Sequence, residues 1–433
     1  MQALLSFDKS PPLAAPFRFF LTAPVMGMLA ALLFLLEGET ILASRWTPAA
    51  LAVTHLLTLG FLAQVMLGAL IQILPVVAGA NLPAPLWVAR LTHAGLLGGT
   101  LLLVFGFLWG SPTGLLLGGL GLALSICTFL AISLRALWAV PSTSPTIRSL
   151  KLALLALLVV VALGGGLVSV LVFAWGGFDP RWVDLHAAWG LAGWGAALVV
   201  ALSLVVVPMF QLTPGYPARF SWFLVPAVFA VLIAWSLVQM WADGAGARFF
   251  QAGLAVVLAA FALLTLRLQA QRRRARADAT YRYWQFGLLS AILACAMQLT
   301  VALRPAVSEA PAWSLAFGML VLVGAFMSFI VGMLYKILPF LAWLHLQNLV
   351  PGGKGVPAMN RLLPEAGAAQ QFWSHVVLSF LLLLAVIYPL PLTWVLAGLA
   401  GLFSQGWLLY HLWRVAHLYW RHLKVIQLGK AAA

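Results

Sequence analysis

THLLTLGFLAQVMLGALIQILP, residues 54–75, is a nearly unbroken apolar run with one histidine near its start and one proline at its end. It is long enough for one membrane-crossing helix. Its pattern recurs twice. Aligned on Pro75, Pro208 and Pro339, which sit in ILPVV, VVPMF and ILPFL, all three stretches have a glycine fifteen residues earlier: Gly60, Gly193 and Gly324. Seven residues before the prolines stand Gly68, Ala201 and Gly332, small side chains where helices can approach closely. Pro48, Pro180 and Pro311 precede the three runs and suit the first turn of a helix. The differences fall near the other end. Twenty residues before the terminal proline the chain has His55, Ala188 and Met319, and twenty-two before it has Val53, His186 and Phe317.

The rest of the chain obeys the same logic. Its 433 residues are 64% hydrophobic and 8% charged, which places it among integral membrane proteins rather than soluble ones. Lipid forbids unpaired backbone groups, and the apolar runs reach helical length, so helices are expected rather than barrel strands. Twelve spans are predicted, near residues 17–36, 48–76, 86–109, 113–137, 150–175, 181–208, 218–241, 248–268, 283–304, 312–340, 371–389 and 392–416. The similarity extends to neighbouring spans. Phe17-Arg18-Phe19, Ile147-Arg148-Ser149 and Tyr281-Arg282-Tyr283 open spans one, five and nine. The expected architecture is an all-α polytopic membrane protein, one transmembrane domain over 1–433, whose twelve helices form three four-helix pseudo-repeats near 1–140, 141–275 and 276–433. Copies of four helices keep one orientation and can close into a ring.

Of 24 Lys and Arg, only Arg45, Arg181, Arg248 and Arg304 fall in odd-to-even loops, and the other 20 fall at the termini and on the opposite side. Basic residues accumulate on the cytoplasmic face, so both termini are expected there, in a bacterial-type inner membrane. Six of nine acids, Glu37, Glu39, Asp179, Asp184, Asp243 and Glu309, sit on the outer face. The formal charge of +15 thus reflects topology, and the run from Arg267 to Arg282 reads as a topology determinant in contact with membrane lipids. No soluble module surrounds it, so a nucleic-acid partner is not expected. Lys336 is expected to snorkel to the cytoplasmic interface. The loop near 347–370, with its PGGKGV stretch, reads as an insertion in the third copy. A removable signal peptide is not expected, because MQALLSFDKS carries one lysine and no small-residue cleavage site. Cys127 and Cys295 lie in apolar runs without a CxxC pattern, which argues against a disulfide framework.

Eight histidines are present. His93, His345, His375, His411, His417 and His422 fall toward cytoplasmic ends, where interfacial water satisfies an imidazole. His55 and His186 stand seven and six residues inside their helices, about 10 Å deep. An ionisable group at that depth faces an interior site, a metal or a neighbouring helix's polar group. Met319 is either an ordinary apolar filler or a thioether ligand for a heme iron. Trp182, Trp189 and Trp194 are expected as interfacial belt residues. No nucleophile elbow, phosphate loop, HExxH or carboxylate pair stands out.

Twelve helices in three groups of four, with histidines in the outer parts of spans two and six, resemble the catalytic subunit of heme-copper oxidases. The resemblance implies His55 as a low-spin, b-type heme ligand and His186 as a remnant of the copper site. Phe317 and Met319 occupy the positions of the family's HxH pair, so Met319 becomes the implied second ligand and His186 its competitor. Span seven has no histidine, and neither copper nor oxygen reduction at a binuclear centre is implied. Pro16-Phe17-Arg18-Phe19-Phe20 and the span-two histidine also resemble the NnrS family of membrane heme proteins linked to nitric oxide stress, without the further histidine and glutamate of that family. The two resemblances together imply a heme protein in electron transfer, gas binding or respiratory protection, supplied by quinol or a cytochrome, and an oxidoreductase if it is an enzyme. The competing class is a cofactor-free transporter or assembly factor.

Overall fold

The computed structural model describes residues 10–141, 143–175, 177–241, 244–274, 276–350 and 355–431. Among them there is no strand, and twelve helices are long and apolar enough to cross a membrane. They are α1 (Ala14–Ala43), α2 (Pro48–Val77), α3 (Pro85–Leu108), α4 (Pro112–Trp138), α5 (Pro145–Phe173), α6 (Pro180–Gln211), α7 (Ala218–Gln239), α8 (Gly246–Ala270), α9 (Ala279–Leu303), α10 (Pro311–Leu349), α11 (Glu365–Ile387) and α12 (Pro391–Leu428). The protein is therefore an all-α, multi-pass membrane protein. Asp243 and residues 351–354 of the expected insertion lie outside the described residues, as do residues 1–9.

Local chemistry starts the helices where the sequence suggests. Pro48, Pro180 and Pro311 each occupy the first turn, where a missing N–H costs nothing. Thr47, Ser111, Ser144 and Asp278 accept hydrogen bonds from backbone N–H groups of the first turns of α2, α4, α5 and α9. At α6 the cap is Asp179, whose carboxylate accepts from the backbone N–H of Arg181 and pairs with its guanidinium at 2.8 Å. Those two contacts, the backbone bond first, hold the exposed carboxyl below its ordinary value.

The prolines that anchor the alignment do not end their helices. α2 runs to Val77, α6 to Gln211 and α10 to Leu349, with Pro75, Pro208 and Pro339 inside them. α10 thus extends nine residues beyond its predicted end, and α12 continues past its own to Leu428, taking His417 and His422 onto the helix. A proline removes one hydrogen bond, and flanking helices supply the packing that keeps the chain helical beyond it.

α2, α6 and α10 form the interior. Of the most apolar window in each, 78%, 56% and 72% is buried, against 11% to 44% in the other nine. Each contains an eight-residue π-helical segment, Leu56–Ala63, Trp189–Ala196 and Leu320–Met327. All three begin nineteen residues before the aligned proline, so His55, Ala188 and Met319 are each the residue just before the π turn. Packing repeats in the same register. A Cβ added to Gly60 would come 2.9 Å from Met26 of α1, one on Gly193 3.2 Å from Ala156 of α5, and one on Gly324 2.8 Å from Ser290 of α9. Gly68 and Gly332 likewise leave 2.7 Å for Phe19 of α1 and Tyr283 of α9. Small residues here let each interior helix touch the helix that precedes it.

The bundle closes on itself because α1 packs along α12. Gly38 faces Trp394, while Gly398 and Gly401 face Leu35 and Ala31. Two tryptophans depart from their expected places. Trp189 and Trp194 are buried rather than interfacial, and the Trp189 indole donates to Ser236 at 3.0 Å; the apolar bodies fill space between helices. Lys336 is paired with Asp278 at 3.1 Å, and Arg274 reaches the same carboxylate at 2.8 Å. An almost buried carboxylate needs such partners, and Asp278 caps the start of α9 on the side that Lys336 is expected to reach.

Candidate functional site

His55 and His186 come from helices α2 and α6, which are tied at their outer ends. Arg45, in the turn before α2, pairs with Asp184 in the second turn of α6 at 3.0 Å. Trp46 from the same turn meets Phe178 edge-on at 5.9 Å, with the Arg45 guanidinium 4.2 Å over its ring. Both partners of the ion pair are substantially exposed, so it contributes at most about 1 kcal/mol; its use is to fix the register of α2 against α6. Asp184 is two residues from His186, and both imidazoles are half-buried.

The rings are held differently. His55 Nδ1 is 2.8 Å from the carbonyl oxygen of Leu51, one turn back on its own helix. That contact assigns the proton to Nδ1 and leaves the Nε2 lone pair unprotonated, the form in which an imidazole binds a metal. Phe107 of α3 covers the ring at a centroid distance of 5.2 Å. His186 lies against α5, beside the Val160 carbonyl and Gly164, where an added Cβ would stand 3.0 Å from its Cε1. Its Nδ1 is buried with no hydrogen-bond partner. An orphaned imidazole nitrogen costs free energy unless something binds it. π turns, such as the one directly after His55, occur often at functional sites.

Met319, at the corresponding position of α10, is elsewhere. It lines a groove of about 260 Å³ between α9, α10 and α11, with Ser290, Gly324 and Ser379, to which neither His55 nor His186 contributes. Ala188 and Phe317, the counterparts of His55 and His186 one helix further round, line a third space. The boundary between α2 and α6 therefore carries two imidazoles where the boundary between α6 and α10 carries a methyl group and a phenyl ring.

The fit to a prosthetic group can be judged from the donors. Among the described residues no group of three or more His, Cys, Asp or Glu could hold a bare metal ion. A heme iron needs only two axial donors from the protein, because the porphyrin supplies four. A neutral Nε2 on His55, an unpartnered nitrogen on His186 and the glycine beside it fit that need.

The remaining histidines contain what sequence reading missed. His375 and His411 are buried in the protein, not satisfied at the membrane interface. His375 Nε2 is 2.8 Å from Ser328 Oγ of α10, and its ring packs on Tyr283 and Phe286. His411 Nδ1 is 3.1 Å from the Tyr335 hydroxyl, and its Nε2 accepts from the Trp407 indole at 3.1 Å. Tyr283 donates to Gln371, whose amide donates to Ser404. His345 is 2.9 Å from the Tyr419 hydroxyl, and His93 2.8 Å from Thr22. The signal was the placing of Gln371, Ser374 and His375 at i, i+3 and i+4, one polar face of an otherwise apolar helix.

Comparison of the chain with protein-family models and with curated proteins found no match in either.

Proposed function

We propose that the chain is a membrane heme protein related to the heme-copper oxidase catalytic subunit and to NnrS proteins, with His55 and His186 as the two axial ligands of one b-type heme. The observation that carries this reading is a pair of half-buried imidazoles on two helices whose outer ends are tied by Arg45 and Asp184, one with its tautomer set for metal binding and one with an unpartnered buried nitrogen. The Leu51 carbonyl orients the His55 ring and raises the basicity of Nε2. Gly164 gives the His186 ring its place, and the Arg45–Asp184 pair holds the two helices together above it. Iron in this setting supplies one-electron chemistry, and a small gas such as nitric oxide can bind where an axial bond opens. This suits electron transfer or gas-linked protection in respiratory metabolism, with a quinol or cytochrome as electron source and without a copper centre. His186 takes the partner role that sequence position suggested for Met319, because Met319 opens onto a separate groove.

The reading includes three four-helix repeats around α2, α6 and α10, supported by the common register of the π segments and of the glycine contacts. It also places the termini in the cytoplasm of a bacterial-type cell, from the distribution of Lys and Arg. The experiment is heme quantification of the purified protein, expressed with added heme precursor, beside His55→Ala and His186→Ala. The expected result is one heme per wild-type chain and its loss from both variants. Well-folded, heme-free wild type would overturn the proposal and favour a transporter or assembly factor, a reading to which the histidine-free space between α6 and α10 gives independent support.

A further inference from the structure

A cavity of about 620 Å³ lies between α6, α8, α9 and α10, within the range of small-molecule sites. It opens at the outer ends of these helices and runs inward to Phe261, fifteen residues or about 22 Å along α8. Its wall is mostly alanine, leucine and aromatic rings, with no histidine or methionine, so it offers a heme iron no imidazole or thioether. Besides the Cys295 thiol, one polar pair interrupts that wall below the rim. Gln298 of α9 donates from Nε2 to Gln251 Oε1 of α8 at 2.9 Å. Each residue stands five positions from the outer end of its helix, about 8 Å below it. An amide offers two donors and an acceptor with two lone pairs, so the Gln251 NH₂ and the Gln298 carbonyl retain capacity for a ligand.

The rim limits what can enter. Asp184 and Glu309 line it together with Arg45, which is already paired with Asp184. A carboxylate or phosphate head would meet an acidic rim and then an apolar wall, where burying its charge is costly. We propose that this cavity binds a neutral amphiphile: an elongated apolar body in the inner part, and one uncharged hydroxyl or carbonyl head on the Gln251–Gln298 pair. The head exchanges hydrogen bonds with both amides, and the body replaces solvent or lipid against Leu258, Ala262 and Phe329. The site requires no iron and stands whether or not His55 and His186 hold one.

The test uses the full chain in lipid nanodiscs and hexadecanol carrying a mid-chain diazirine as the photoprobe. Labelling should map to cavity segments around Leu258, Ala262 and Val321, be suppressed at least tenfold by excess hexadecanol, and persist in excess hexadecanoate. Gln298→Leu should raise the half-saturating probe concentration about tenfold, the loss of one hydrogen bond to the head. Ala255→Trp should abolish labelling by filling the cavity, and Gln298→Leu serves alone if that variant does not fold. Labelling spread over lipid-facing Leu263 and Leu289 without competition would overturn the proposal. So would equal competition by hexadecanoate, or an unchanged half-saturating concentration in Gln298→Leu.

Discussion

Gly164→Ala separates a ligand cradle from a mere packing glycine. In the native structure a Cβ at this position would stand 3.0 Å from His186 Cε1, 3.6 Å from Nδ1 and 3.9 Å from Nε2, its three nearest neighbours. Ordinary van der Waals contact begins near 3.4 Å. The imidazole must therefore retreat by about 0.4 Å or rotate, and the three nearest atoms to the methyl group all belong to that one side chain. A displacement confined to one side chain leaves the fold nearly untouched, with a cost below about 1 kcal/mol. Misplacing a metal ligand through its surroundings typically costs 10- to 100-fold in affinity, or about 1.4 to 2.7 kcal/mol. The assay is heme retention during competition with apomyoglobin, read beside thermal unfolding. Gly165→Ala is the control, because a Cβ there meets nothing within 4 Å. Gly164→Ala should release heme at about tenfold lower competitor concentration at an unchanged unfolding temperature, while Gly165→Ala behaves as wild type. Equal retention in the two variants would refute the placing of His186 at the iron.

Other consequences reach the rest of the fold. Reporter fusions after Ala433 and in the loop around Asp243 should report opposite compartments, with the C-terminal fusion cytoplasmic; one compartment for both would reject the topology. Gly118→Ala should destabilise the α3–α4 hairpin by about 1 to 3 kcal/mol, because its Cβ would lie 2.5 Å from the Leu103 backbone nitrogen. Gly98→Ala, which meets nothing, should leave the unfolding temperature unchanged. Burial pushes the Tyr216 phenol up to about 12, despite the hydroxyl of Thr265 at 3.0 Å. Its folded value exceeds the unfolded value of about 10, so its stabilising effect is complete below pH 10 and lost between pH 10 and 12, about 3 kcal/mol in all. The stability difference between wild type and Tyr216→Phe, read from denaturant titrations, should be constant below pH 10 and change only in that window.

Helix number and the interior role of α2, α6 and α10 were legible because hydropathy and Gly/Pro spacing act locally. The fifteen- and seven-residue intervals before Pro75, Pro208 and Pro339 mark contacts that the folded chain makes with α1, α5 and α9. The π segments were not legible, since nothing in apolar composition distinguishes a π turn from an α turn. The Arg45–Asp184 clamp ties the outer ends of α2 and α6, while Met319 lines a groove between α9, α10 and α11. Equal depth on equivalent helices defines a circle, and azimuth comes only from packing. The same limit hid His375 and His411. Sidedness put them near the cytoplasmic end, but their partners Ser328 and Tyr335 sit on α10, a contact that no spacing within α11 or α12 announces.

Near-infrared magnetic circular dichroism of the oxidised, purified protein reads the axial pair of a low-spin heme, distinguishing two imidazoles from an imidazole and a thioether. Ligation by His55 and His186 predicts the bis-imidazole signature, unchanged in Met319→Leu. An imidazole–thioether signature that disappears in Met319→Leu would contradict it.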